Sequence, residues 1–184
     1  LTLHGFHPLS IEERKLLFPL AKKERREIAC RVFKLKEGDV FEGEVEFIDV
    51  SNSTTSSTKS AHNNALSHFH AIILYTNKPE ETIARYCWLT DQSSPRRIFG
   101  SSWQVGLDQQ QIIVCSEEDV ERIAPSVDVS NLPSILGYAL LTESLSRTKD
   151  CFSHNELVTQ SLNQGSFLVK LPEFISGNLI IGTS

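Results

Sequence analysis

The strongest constraint on the fold is the alternation of side chains in two segments, 40–50 and 67–76. In the first segment glutamates alternate with large apolar residues, and in the second two histidines flank a phenylalanine. The positions concerned are Phe41, Glu42, Glu44, Val45, Glu46 and Phe47, followed by His68, Phe69 and His70. Successive side chains of a strand point to opposite faces. The pattern therefore predicts two strands, one with its carboxylates on a solvated face and one with both imidazoles on the same face.

The rest of the chain predicts further strands and a set of helices. Ser10 and Glu13 match a capping box, so we expect a helical segment over 10–29 that Pro19 kinks. A strand over 30–36 and a turn at Gly38 predict a hairpin with the strand over 40–50, in which Lys34 and Lys36 lie opposite some of the glutamates. Further strands are expected over 82–90, 98–107, 111–115, 167–171 and 178–181, and helices from Ser116 to about Pro125, from Pro133 to about Arg147 and from Ser153 to Gly165.

The order of these elements predicts an α+β fold, with a mostly antiparallel sheet and with helices at the N-terminus and in the C-terminal third. The 184 residues suit a single domain over 1–184. Residues 51–66 are rich in serine, threonine and asparagine and have few apolar side chains, so we expect a mobile loop there. No internal repeat is visible in the sequence.

The cysteines indicate a reducing environment. Cys30, Cys87, Cys115 and Cys151 are widely spaced, and no C-x-x-C pair occurs. Such a pattern favours reduced, buried thiols over a zinc ribbon or a redox site. We therefore predict an intracellular protein of the cytoplasm or nucleus. Since no apolar run approaches the length of a membrane helix, we expect no membrane partner.

The net charge of −5 conceals a basic segment over 22–36. A local excess of cations on an acidic chain suits an oriented contact with phosphates or with an acidic protein. The alternative is a solvated helix face whose charges pair along the helix, as Lys23 and Glu27 would. The candidate binding residues are Lys22, Lys23, Arg25, Arg26, Arg31 and Lys34.

His68 and His70, with one hydrophobic residue between them, have the spacing of a metal-binding pair on a strand. This segment resembles the His-hydrophobic-His signature of the HUH endonucleases, which include rolling-circle replication initiators and relaxases. The resemblance implies that the two histidines hold a divalent metal, with Glu44 or Glu46 as a third ligand. It also implies that Tyr138, expected on the helix after Pro133, attacks the scissile phosphate. The alternative is an ordinary half-exposed strand.

The sequence contains no G-x-S-x-G, Walker, G-x-G-x-x-G or H-E-x-x-H motif. We therefore predict no cofactor and no dedicated metal site. The preferred hypothesis is a non-enzymatic protein–protein interaction domain, a subunit or adaptor that contacts a protein partner or a second copy of itself. Nucleic-acid binding through segment 22–36 is the first alternative. A metal-dependent HUH-type nuclease using His68 and His70 is the second.

Overall fold

A computed structural model describes residues 4–19, 25–50, 63–125, 127, 134–162, 165–171 and 177–183; for residues 17–19, 25 and 26 it describes the backbone alone. The chain divides into two compact units, Leu1–Lys59 and Ser60–Ser184. The single domain expected over 1–184 stays a prediction. Most of the loop expected over 51–66 lies outside the described residues, and its last residue, Leu66, begins a strand.

The described part of the first unit is a three-stranded antiparallel sheet of β1 (Glu12–Pro19), β2 (Arg25–Lys34) and β3 (Glu46–Asp49), in that order. The predicted helical segment over 10–29 is therefore wrong. Strands β1 and β2 pair from Glu12↔Val32 to Pro19↔Arg25, so cross-strand hydrogen bonds replace those of a helix. Pro19, which lacks a backbone donor, stands at the end of its strand, where that loss costs least.

The hairpin predicted between the second and third strands is confirmed. β2 and β3 are antiparallel, and Phe33 and Phe47 are in register with their rings stacked at a centroid distance of 4.6 Å. The strand predicted over 40–50, with exposed glutamates alternating with buried apolar residues, is wrong at its first positions. Glu42 is buried and Phe41 is 64% exposed, because residues 41–43 form a bend and the strand begins only at Glu46.

Within the described residues, the second unit forms one eight-stranded sheet and three short helices. In chain order the elements are β4 (Leu66–Tyr75), α1 (Pro79–Leu89), β5 (Arg96–Phe99), β6 (Ser102–Leu107), β7 (Gln110–Cys115), α2 (Glu117–Ile123), β8 (Ser134–Thr142), α3 (Leu145–His154), β9 (Thr159–Leu162), β10 (Ser166–Lys170) and β11 (Asn178–Thr183). The strands lie in the order β5-β6-β7-β4-β8-β11-β10-β9.

This order contains the same βαβββ arrangement twice. In the first repeat β4 pairs in parallel with β7, and β6 and β5 follow in antiparallel pairs. In the second repeat β8 pairs in parallel with β11, and β10 and β9 follow in the same way. The two first strands, β4 and β8, join the repeats as an antiparallel pair. The sequence shows no internal repeat, but the order and pairing of the strands contain one, so that interpretation is wrong.

The α+β class and the mostly antiparallel sheet are confirmed, but the first described helix begins at Pro79 rather than near the N-terminus. The strand predicted over 82–90 is helix α1. Pro79 starts that helix and Glu80 and Glu81 occupy its first turn, which favours a helical N-terminus. Thr82, Ile83 and Tyr86 are buried, and this i, i+1, i+4 spacing is that of one helix face.

Two predicted C-terminal helices are also wrong. The segment after Pro133 is strand β8, whose apolar run reflects its central place between β4 and β11. The following helix, α3, ends at His154, where a helix was expected to begin, and Ser144 caps it by accepting a hydrogen bond from the Arg147 amide. The strand predicted over 98–107 is divided into β5 and β6 by a turn at Gly100, whose φ is +48°. Strands β4, β7, β10 and β11 and helix α2 are close to their predicted positions.

The sheet has two distinct faces. One, here called the inner face, carries Ile73, Cys115, Leu168 and Ile180, and helix α2 packs on it through Val120 and through its C-cap residue, Ala124. The other, the outer face, is covered in the second repeat by α3, whose Phe152 packs against strand residues that alternate with those of the inner face. In the first repeat α1 contacts β6 and β7, and its buried residues take no part in the inner-face cluster.

All four cysteines are free thiols, as predicted, and Cys30, Cys87 and Cys115 are buried. Burial raises the pKa of the Cys115 thiol to about 12, which keeps it protonated and unreactive. None of the helices in the described ranges combines the length and the apolar character needed to cross a bilayer.

Candidate functional site

The inner face of the first repeat carries a row of polar side chains that crosses four strands. Arg96 on β5 is in register with Gln104 on β6. Gln111 on β7 is in register with Ala71 on β4, next to His70. Together Arg96, Gln104, Gln111 and His70 form a connected set, here called the polar relay.

Arg96 fixes the direction of the first hydrogen bond of the relay. The Arg96 guanidinium has only donors, so the Gln104 amide must turn its oxygen to it; the distances are then 3.0 Å from Nη2 and 3.1 Å from Nε. One amide atom of Gln111 lies 3.2 Å from the Gln104 nitrogen and 3.1 Å from the Gln104 oxygen, so Gln111 can accept from the former or donate to the latter. The other amide atom of Gln111 lies 3.2 Å from His70 Nε2, which accepts from it if that atom is the nitrogen and donates to it if it is the oxygen.

The electrostatic surroundings of His70 agree with this arrangement. Its pKa is lowered, first by burial and second by the nearby charge of His68. Both causes favour the neutral imidazole.

The direction in which His70 points depends on a bulge in β4. Phe69 pairs with Leu140, and Ala71 pairs with the adjacent Ala139, so His70 is an extra residue in the ladder. A bulge of this kind turns side chains out of the regular alternation. His70 accordingly reaches Gln111, and the His68 and His70 rings lie 6.5 Å apart. The prediction that the two imidazoles share a face is confirmed.

The residues of the predicted nuclease site are not assembled as expected. Tyr138 lies on strand β8, not on a helix, and its ring is 6.3 Å from that of Phe69, on the side of β4 away from His68. Glu44 and Glu46 belong to the first unit, and both contact Lys34. Among the described residues no group of three or more histidine, cysteine, aspartate or glutamate side chains has the geometry of a metal site.

A cavity of about 740 Å³ opens on the inner face between the two repeats. Phe99 lines it from the first repeat, and Leu162, Ser166 and Ile180 line it from the second. Helix α2, in the connection between the repeats, contributes Glu121, Arg122 and Ile123, and Pro125 follows the helix. The Arg122 guanidinium lies 5.5 Å from the centre of the Phe99 ring. The walls thus combine apolar side chains with the charged side chains of Glu121 and Arg122, and the guanidinium lies over an aromatic ring at one side.

Asp119 fixes the α2 wall of this cavity. Its side chain is buried, and its Oδ2 accepts hydrogen bonds from the Ser101 amide at 2.8 Å, Ser102 Oγ at 2.8 Å and Ser116 Oγ at 3.2 Å. A Cβ added at Gly100 would lie 2.1 Å from Asp119 Oδ1, so only glycine leaves room for the carboxylate. These contacts tie α2 to the β5–β6 turn and so place Arg122 beside Phe99.

The predicted binding residues lie in the first unit. Arg31 pairs with Asp49, and Lys34 pairs with Glu44 and Glu46, as the hairpin prediction implied for Lys34. Arg25 and Arg26 belong to β2, and Lys22 and Lys23 lie outside the described residues. Glu27, the expected helical partner of Lys23, pairs with Lys15 across the strands at 2.6 Å. Binding of a partner or of nucleic acid by these six cations stays a prediction.

Sequence reasoning missed the relay and the cavity residues because neither has a local signature. Gln104 and Gln111 come together only once β6 and β7 are placed in register. Arg122 appears in sequence as one charge of a short amphipathic helix. A pattern of polar residues on the core side of predicted strands was the only available signal.

The fold resembles solved structures, whereas the sequence matches no protein-family model and no curated protein. A hypothetical protein from Staphylococcus aureus aligns with 100% of this chain at a TM-score of 0.56 and 7% identity, and this chain spans 59% of that protein's length. A methylmalonyl-CoA epimerase from Mycobacterium tuberculosis aligns with 64% of this chain and 87% of its own, at a TM-score of 0.49 and 8% identity. The first similarity shows the fold alone, and the second supports no conclusion about activity.

Proposed function

We propose that the second unit binds a small organic molecule in the inner-face cavity. The observation that carries the proposal is the cavity itself, which both repeats line and which measures about 740 Å³. Ligand sites are typically concave, mostly apolar and of about 300–1,000 Å³, with a few polar groups that orient the ligand. The cavity lies within this range of volume, and its lining combines apolar side chains with the polar groups of Glu121, Arg122 and Ser166.

The lining residues, which include Glu121 as well as Arg122, favour a ligand with an apolar body and an acidic group that reaches Arg122. Leu162, Ile180 and Pro125 offer apolar contact area, and Phe99 offers a ring face. Arg122 supplies a guanidinium, which binds carboxylates or sulfonates through charge-assisted hydrogen bonds. Its place over the Phe99 ring holds the guanidinium at the cavity wall.

The test uses anilinonaphthalene sulfonate, an aromatic anion whose fluorescence rises in apolar surroundings. We expect saturable binding of one dye molecule to the native chain. Arg122→Gln should weaken binding about tenfold, the equivalent of one charge-assisted hydrogen bond of about 1.5 kcal/mol. Ile180→Trp should block binding by filling the cavity. Arg147→Gln is the matched control, because Arg147 is exposed on α3 at the outer face.

Circular dichroism and denaturant unfolding establish that each variant is folded before the titration. If the dye binds the folded Arg122→Gln and Ile180→Trp variants as tightly as the unchanged chain, the cavity is not the binding site. The same conclusion follows if the native chain binds no dye.

A second function, that of an interaction subunit, is favoured by the exposed apolar side chains of the first unit. Leu9, Ile11, Phe41 and Ile48 are large apolar residues with about half or more of their surface in contact with solvent. Leu9 and Phe41 also line a cavity of about 480 Å³ together with Lys34 and Lys36. We propose that this surface contacts a second copy of the chain. Light scattering over a range of concentrations tests it: dimerisation that Phe41→Ser weakens supports the proposal, and a monomer at all concentrations contradicts it.

A further inference from the structure

A further cavity, of about 230 Å³, lies at the edge of the eight-stranded sheet, between helix α3 and the hairpin of β9 and β10. Ser146 and Lys149 line it from α3, and Ser161 lines it from β9. Ser161 is in register with Phe167, which belongs to the cluster of the outer face, so the Ser161 side chain points to that face as well. The cavity therefore combines groups from the helix that covers the outer face and from the last strand beneath it.

Lys149 brings a positive charge to this cavity. Its side chain is half-buried, and its Nζ donates to Ser161 Oγ at 3.0 Å. Within the described part of the chain Lys149 has no carboxylate partner, whereas Lys34 and Lys78 contact glutamates. None of the described lining residues is acidic, and Asp150, the next residue of α3, is not among them. A partly desolvated ammonium group that faces a cavity without a counter-charge favours an anionic ligand.

We infer that this cavity binds the phosphate group of a small organic phosphate monoester, with Lys149 as its cationic contact. A lysine ammonium binds phosphate as a point charge with three donors. Ser161 Oγ accepts from Lys149, so its own proton is available to a phosphate oxygen. The hydroxyl of Ser146 lines the same cavity.

The first turn of α3 adds a weaker attraction for the same group. Ser144 Oγ accepts from the Arg147 amide, which leaves the amides of Leu145 and Ser146 without an acceptor inside the helix. Leu145 and Ser146 both line the cavity. The positive end of the helix dipole therefore lies beside the site that Lys149 and Ser161 form.

The size and the apolar part of the lining indicate what the phosphate is attached to. The volume is below the range of about 300–1,000 Å³ that is typical of sites for drug-sized ligands. Leu145 and Leu162 add apolar surface to the lining. A phosphate with a short carbon body suits this space, whereas inorganic phosphate makes no use of the apolar surface.

Titration of the ¹⁵N-labelled full chain with phenyl phosphate, followed by nuclear magnetic resonance of the backbone amides, tests the site. We expect saturable shifts at Ser146, Lys149 and Ser161, and binding of inorganic phosphate that is several times weaker. Lys149→Gln should weaken the binding of phenyl phosphate about tenfold, through the loss of a charge-assisted contact. Lys170→Gln is the matched control and should leave binding unchanged, because Lys170 is exposed at the end of β10 and does not line the cavity.

Arg122→Gln separates this site from the inner-face cavity, which shares Leu162 and Ser166 with it. We expect Arg122→Gln to bind phenyl phosphate as tightly as the unchanged chain, so the outcome does not depend on the proposed binding at Arg122. The amide spectra establish that each variant is folded. Three outcomes would each overturn the inference: no saturable shift at the three amides, equal affinity in Lys149→Gln, or equal affinity for inorganic phosphate. Loss of binding in Arg122→Gln but not in Lys149→Gln would assign the phosphate to the inner-face cavity and contradict a separate site.

Discussion

The two βαβββ repeats share one topology but carry different chemistry on the inner face. In the first repeat that face has the relay from Arg96 to His70. Both repeats contribute to the apolar cluster under α2, the first through Ile73 and Cys115 and the second through Leu168 and Ile180. Strand pairing and the helix-covered outer face are common to both. Strand pairing and the helix-covered outer face are enough to form the βαβββ topology in each repeat, so the side chains of the inner face can differ.

The repeats also differ in how their polar groups secure the backbone. The first uses a buried carboxylate, Asp119, that gathers donors from two connections. The second uses neutral hydroxyls. Thr148 Oγ1 lies 2.6 Å from Thr142 Oγ1, and the carbonyl oxygens of Asn64 and Ser144 also lie within hydrogen-bond distance of it. A charged acceptor forms stronger hydrogen bonds than a hydroxyl, so the first repeat should be more sensitive to the loss of its anchor.

The largest expected effect is therefore that of Asp119→Ala. Its removal leaves three donors without their acceptor in a buried place, and hydrogen bonds to a charged group are worth about 1.5–3 kcal/mol each, so we expect a loss of about 3 kcal/mol or more. Urea unfolding followed by circular dichroism measures it. Asp150→Ala, at an exposed position of α3, should change stability by less than about 0.5 kcal/mol. Equal effects of the two substitutions would contradict the assigned role.

A smaller effect separates two strand glycines. A Cβ at Gly137 in the second repeat would lie 2.5 Å from the Asn178 carbonyl oxygen, whereas a Cβ at Gly106 in the first repeat would meet nothing within 4 Å. We expect Gly137→Ala to cost about 1–3 kcal/mol through overpacking. Gly106→Ala should be neutral or stabilise by up to about 1 kcal/mol, since alanine restricts the unfolded chain. A lower unfolding free energy in Gly137→Ala, with an unchanged or higher one in Gly106→Ala, would confirm the contrast, and a tolerated Gly137→Ala would refute it.

The smallest effect concerns pH. Burial, and then the charge of His68, lowers the pKa of His70 below its ordinary value of 6.5. The unfolded chain therefore takes up this proton before the folded chain does, so the contribution of His70 is complete above about pH 6.5 and is lost as the pH falls towards the folded-state pKa. We expect the unfolding free energy to fall less steeply below pH 6.5 in His70→Gln than in the unchanged chain. Parallel curves would contradict the shift.

The sequence correctly predicts those elements in which polar and apolar side chains follow one clear period, that of a strand or that of a helix. Strand β4 follows from the alternation around His68 and His70, and the hairpin of β2 and β3 from its turn at Gly38. Helix α1 is missed because Thr82, Ile83 and Tyr86 favour strands locally, while tertiary packing decides the outcome. Strand β8 is missed because a central strand with both faces covered has no alternation to detect.

The candidate site is harder to predict than the fold because it depends on register. Gln111 meets His70 only through the pairing of β7 with β4, and Gln104 meets Gln111 only through the pairing of β6 with β7. These residues are up to 41 positions apart in the chain. The sequence alone identifies the two histidines, but it does not identify the residues that they contact. The orientation of the Gln104 amide further requires knowing that Arg96 lies beside it.

The seam between β4 and β8 contains three register shifts, at Leu66/His68, Phe69/Ala71 and Ile73/Leu74. Each added residue bends its strand and increases the local twist. An insertion in β4 or β8 can therefore alter the curvature of the eight-stranded sheet, while the other strands keep their own partners. A residue gained or lost in this one ladder would thus change the shape of the inner-face cavity, and with it the size of the molecule that the proposed site could accept.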